Sequence, residues 1–170
     1  MCKKTCSIEC HDKGTRLYRR NQLKDLLFGT TIEEMTETKD WSNSIYFFND
    51  IDSAKEYYED ENHPYLITVE LVQPINYIKC THNCFRDGSY EDAMPEIIEE
   101  IEGLLRTKKP TKMPFMKWLG LSGYAFQCYN LPDEETMEIA IPKNLLTKEN
   151  FILIESKDDS KVDSCKTSIL

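Results

Sequence analysis

Apolar and polar positions alternate over Pro64–Pro74, where Leu66, Thr68 and Glu70 fall on one face and Ile67, Val69 and Leu71 on the other. A two-residue period predicts a strand, and the bracketing prolines mark its ends. Thr15–Arg20 alternates too, with Leu17 and Arg19 on one face and Arg16, Tyr18 and Arg20 on the other. Ile45–Phe48 is a continuous β-branched and aromatic run, the pattern of a strand buried on both faces. Further strands are predicted at Ile75–Lys79, Tyr124–Tyr129, Met137–Pro142 and Phe151–Ile154.

Helical spacing appears between these runs. Ile97, Ile98, Ile101, Leu104 and Leu105 make an apolar stripe within Ser89–Arg106, and Glu96, Glu99, Glu100 and Glu102 take the solvated side. Gln22–Phe28 is helix-compatible up to Gly29, and Pro114–Leu121 is a short helix ended by Gly123. Asn49, Asp50 and Asp52 are turn and cap formers ahead of Ser53–Tyr58, where Ala54, Tyr57 and Tyr58 share a face. Strands mixed with helices in this order predict an α+β domain.

Length and charge narrow the picture. The 170 residues suit one domain, read here as residues 14–156, with a polar, Cys-rich lead-in over 1–13 and a polar tail over 157–170. A net charge of −9 argues against a nucleic-acid partner drawn by the general field, though a local basic patch can still serve a phosphate. No apolar run approaches the ~20 residues that cross a bilayer, and the N-terminus lacks a secretory h-region. Seven cysteines in a chain of this size read as reduced thiols of a cytoplasmic protein. Cys2, Cys6 and Cys10 are spaced by four, and Cys80, His82 and Cys84 form a second loose group. Neither has the spacing of usual structural zinc pairs, so no metal is expected.

Two charged residues stand in apolar strands. Arg19 shares a face with Leu17, so it is either solvated at an edge or gripping an anionic group such as a phosphate or a ribose oxygen. Glu138 lies between Met137 and Ile139, and is either an edge carboxylate or one placed to stabilise a cationic centre. Trp41 reads as packing.

Three pieces resemble ADP-ribosyltransferase catalytic domains. Ser44–Tyr58 resembles their central aromatic strand and Ser/Ala/Tyr helix in the polymerase-type wording. Leu17-Tyr18-Arg19 resembles the opening strand of the toxin-type group, and Glu138-Ile-Ala-Ile-Pro followed by Phe151-Ile-Leu-Ile resembles the closing strands. They occur in family order over residues 14–156. The resemblance implies split, mostly antiparallel sheets with flanking helices and NAD as co-substrate in the cleft. It implies a mono-ADP-ribosyltransferase acting on a protein acceptor, in a cytoplasmic bacterial or phage effector, toxin-like and delivered into a host cell in some cases. Arg19 would hold a phosphate or ribose and count, with Tyr46 and Glu138, among the catalytic set, and Tyr18 and Tyr57 would be further NAD-binding residues. Tyr46, with Phe47 or Phe48, would stack on nicotinamide. Glu138 would be the catalytic carboxylate. The chain departs from the family where Arg20 replaces a frequent glycine and Thr136 a frequent Glu or Gln; Glu135 is then a candidate for the acceptor side. A decayed binding module and an NAD glycohydrolase are the alternatives.

Overall fold

The computed structural model describes residues 6–21, 44–57, 63–80, 95–129 and 137–158. Among these, the strands are β1 (Cys6–His11), β2 (Arg16–Asn21), β3 (Ser44–Phe48), β4 (Tyr65–Leu71), β5 (Ile75–Cys80), β6 (Ala125–Tyr129), β7 (Met137–Pro142) and β8 (Phe151–Asp158). The helices are α1 (Ile51–Tyr57), α2 (Pro95–Leu105) and α3 (Phe115–Leu121). The expected α+β class is what the chain forms. The expected Gln22–Phe28 helix, Trp41, Glu135, Thr136, His82 and Cys84 lie outside the described residues.

All eight strands join one sheet in the order β1-β5-β6-β7-β3-β2-β4-β8, antiparallel except where β5 and β6 run parallel. Each pairing extends over three or more residues but one: β2 and β3 meet only at Tyr18↔Phe48. That junction divides the sheet into β1-β5-β6-β7-β3 and β2-β4-β8.

The two parts curl over a common core. Leu17, Ile67, Val69, Leu71 and Phe151 from one part pack with Ile45, Phe47, Tyr77, Ile139 and Ile141 from the other. The Phe47 and Phe151 rings stack 6.4 Å apart. Neighbouring strands lie about 4.8 Å apart, so β3 and β8, three places apart, would be about 14 Å apart in a flat sheet. The sheet must therefore bend, and the face it encloses is the inner one. The predicted alternation of β4 fits this bend, with Ile67, Val69 and Leu71 inward and Leu66 on the outer face beneath α1.

On the outer face, α2 and α3 cover β1, β5, β6 and β7. Ile97 and Ile101 of α2 and Phe115, Met116, Trp118 and Leu119 of α3 pack on Cys6, Ile78, Cys80, Phe126 and Ala140. The α3 helix stops at Gly123, whose φ of +89° suits glycine; its N–H and that of Tyr124 bond back to Gly120 and Leu119 carbonyls.

The N-terminal lead-in needs correction. Cys6–His11 pairs with β5 along its whole length as an edge strand. Cys6 and Cys80 lie directly opposite and are joined by a disulfide, with both residues buried, which departs from the expectation of reduced thiols. Disulfides persist in oxidising compartments. Cys10, exposed on β1, is not in a disulfide. Among the described residues no cluster of His, Cys, Asp and Glu is placed to hold a metal, and no helix is long and apolar enough to cross a membrane.

Candidate functional site

The narrow β2–β3 junction is where the sequence-predicted residues collect. On the outer face, register places Glu138, Phe48, Tyr18 and Thr68 in one row across β7, β3, β2 and β4, because directly opposed residues share a face. The α1 helix crosses this row, with Ala54 buried against Phe48, Leu66 and Tyr18. Asp50 starts α1, as its cap-forming chemistry predicts. Its carboxylate accepts from the backbone N–H of Ser53 at 3.2 Å and from the Ser53 hydroxyl at 2.9 Å. The Ser53 hydroxyl bond leads the causes that hold the Asp50 carboxyl below its usual range.

Arg20, on the same outer face, fixes the other end of α1. Its Nε donates to the Lys55 carbonyl at 2.8 Å, and the residue is only 9% exposed. Helix ends leave carbonyls without partners, and a guanidinium donor satisfies one. The departure from glycine at this position therefore has a structural use: it locks helix to strand.

Arg19 points the other way, toward the inner face. Its guanidinium carbon lies 5.9 Å from the Phe47 ring centroid, and its Nη1 donates to the Tyr46 carbonyl at 3.1 Å. Past the single Tyr18↔Phe48 bridge, the guanidinium thus contacts the β3 backbone that β2 no longer pairs with.

Glu138 is 4% exposed. Burial raises its pKa to about 7, while the Arg19 charge pulls the other way. Arginine and carboxylate leave opposite faces of the sheet and feel each other at the junction. Among the described residues no hydrogen bond to the Glu138 carboxylate accompanies that attraction. Burying a carboxylate costs free energy unless donors or cations offset it, and that cost is what raises the Glu138 pKa.

The aromatic expectations divide. Tyr46 and Tyr18 are half-buried, Tyr46 against the helix-covered core and Tyr18 beside α1. Phe47 and Phe48 do not offer a stacking surface: Phe47 is wholly enclosed in the inner core, and Phe48 is packed under α1. Strong two-sided burial, the feature that made the strand legible, is what withdraws those rings. Tyr57 closes α1, and its side chain is outside the described residues.

A second polar array was not singled out in the sequence. On the inner face near β1, the Tyr77 hydroxyl donates to Glu9 at 3.0 Å, and Lys79 approaches the same carboxylate at 3.8 Å. His11 stacks on Tyr77 at 4.0 Å and shares a 3.2 Å hydrogen bond between Nε2 and the Gln127 Oε1. Which of the two donates follows the imidazole tautomer and the orientation of the Gln127 amide. Burial lowers the His11 pKa, and burial with the Glu9 contact pushes Tyr77 up to about 12. Two signals were available: the alternation of Tyr77 with Lys79, and Gln127 within an apolar strand.

In comparison with known proteins, the chain matches no family model and no curated protein.

Proposed function

We propose that the chain is an NAD-dependent mono-ADP-ribosyltransferase acting on a protein. The observation that carries this reading is Glu138, a carboxylate buried in an apolar strand with its proton poised near neutrality, within electrostatic reach of Arg19. The single-bridge junction between β2 and β3 supports the finer fold reading of a split sheet with a ligand cleft at the division. In the reaction, the bond from ribose C1′ to the nicotinamide nitrogen breaks, and nicotinamide leaves with the electron pair. Positive charge builds on C1′, and ionised Glu138 stabilises it. An acceptor nucleophile then bonds to C1′ and releases its proton. Arg19 would hold a phosphate or ribose oxygen, and half-buried Tyr46 or Tyr18 would supply the ring surface. A single transfer rather than polymer synthesis is proposed, in an effector-type protein.

A second reading, a binding module of the same fold, is favoured by one observation: Arg19 already contacts the Tyr46 carbonyl and Phe47. Incubating the protein with NAD labelled in its adenosine moiety and a cell lysate separates the readings. Labelled acceptor protein supports the transferase. Free labelled ADP-ribose alone would indicate a glycohydrolase, and unchanged NAD the binding module.

A further inference from the structure

A hollow of about 120 Å³ opens on the outer face between α1 and the edge strand β8, at the β4 end of the row that begins at Glu138. Leu66 and Thr68 of β4, both nearly buried, form its floor, and Ile51 forms an apolar wall. Lys55 of α1 and Lys157 of β8 reach it from two different elements, with Glu155 beside them. Register explains the placement: Lys157 lies opposite Leu66, and Glu155 opposite Thr68. Among the described residues neither ammonium group nor the Glu155 carboxylate takes part in a hydrogen bond or ion pair, although all three line one hollow. The Thr68 hydroxyl likewise makes no hydrogen bond to a described residue. In a chain of net charge −9, two cations converging on a concave surface create a local field opposite to the general one.

We propose that this hollow binds a small hydroxyl-bearing phosphate ester. The hollow is roomy enough for a phosphate group. Two ammonium groups, each a compact point charge, hold the phosphate oxygens. The Thr68 hydroxyl donates to a third. Glu155 would repel a bare anion, but it accepts from a hydroxyl of the ester's sugar or polyol, and Ile51 meets the C–H face of that group. The carboxylate thus selects the ester over free phosphate. The site is independent of the transferase reading and involves no turnover.

Titrations of the full chain with ribose 5-phosphate, inorganic phosphate and ribose, followed by calorimetry, test it without any use of NAD. Ribose 5-phosphate should bind with a Kd of about 1 mM or tighter, more tightly than inorganic phosphate, and ribose should not bind. Lys157→Gln and Lys55→Gln should each weaken the ester by about 10-fold or more, the scale of one charge-assisted contact. Lys157→Arg should retain most binding, and Lys117→Gln, at an exposed position of the mostly buried α3, all of it. Glu155→Gln should tighten inorganic phosphate and narrow its difference from the ester. Absence of saturation by ribose 5-phosphate, phosphate binding as tightly as the ester, or equal weakening by Lys117→Gln would each overturn the proposal.

Discussion

Two seams of the sheet use polar side chains in opposite ways. At the β1–β5 seam, six register pairs and a disulfide close the strands together. There Glu9 meets Tyr77 and Lys79, and His11 meets Gln127, so each polar group faces a complementary one. At the β2–β3 seam one register pair holds, Arg19 occupies the backbone position that a strand would have used, and Glu138 is buried, with Arg19 the one cation among the described residues that favours its charge. A satisfied array stiffens a fold, whereas a carboxylate kept in unfavourable surroundings holds free energy that chemistry can use. Under the proposed function, the open seam carries the chemistry and the closed seam the structure.

The sharpest way to break that comparison is Glu138→Gln. Glutamine keeps the shape and removes the charge, so nicotinamide release should fall by about 10²–10³ with little change in NAD affinity. Rapid-quench measurement of nicotinamide release, with calorimetric NAD affinity, checks both halves. An unchanged rate would assign Glu138 to structure and leave the two seams functionally alike.

Acidity offers the next test, of about 3 kcal/mol. Because burial raises the Glu138 pKa from 4.5 to about 7, the folded protein binds a proton that the unfolded chain releases between those values. The contribution to stability is therefore fully present below pH 4.5 and is lost as pH rises through about 7. Catalysis runs the other way, since only the carboxylate stabilises C1′, so kcat/KM should rise with pH through about 7. Urea titrations from pH 5 to 8 should show this loss in wild type and not in Glu138→Gln; parallel curves would remove Glu138 as its source.

Arg19→Lys probes the same seam more gently. Lysine keeps the charge but loses the planar fork that reaches the Tyr46 carbonyl, so NAD affinity should drop roughly 10- to 150-fold while the protein stays folded. Equal NAD affinity in calorimetry would confine Arg19 to bracing β3.

Much of this contrast was readable in the chain, because it depends on local period. The alternation of Leu17 with Arg19 placed them on one face, the proline brackets bounded β4, and Glu138 stood out between Met137 and Ile139. The missing half depends on contacts far apart in sequence. Cys6 and Cys80 are 74 residues apart, and no spacing rule pairs them among seven cysteines. β1 looked like a polar lead-in because four of its six residues are exposed, as an edge strand allows. Phe47 looked available for stacking because an aromatic run states burial without stating what covers it, and the cover is Phe151 from the far end of the sheet.

The smallest effect belongs to the closed seam, and it is the control that gives the others meaning. Tyr77→Phe removes the hydroxyl that donates to Glu9 and changes nothing else in the ring that stacks on His11. Glu9 keeps Lys79 at 3.8 Å and has access to water, so no buried charge is stranded. The cost should be that of one ordinary hydrogen bond, about 0.5–1.5 kcal/mol. The raised Tyr77 pKa of about 12 adds no pH dependence near neutrality, because the phenol is protonated in both variants there. Nicotinamide release and NAD affinity should match wild type. Denaturant unfolding read beside turnover would then separate the seams: a small stability loss with full activity at β1–β5, against a large activity loss with a stability gain above pH 7 at β2–β3. If Tyr77→Phe instead lowers turnover as strongly as Glu138→Gln, the polar array at β1 belongs to the active centre, and the division between a structural seam and a chemical one fails.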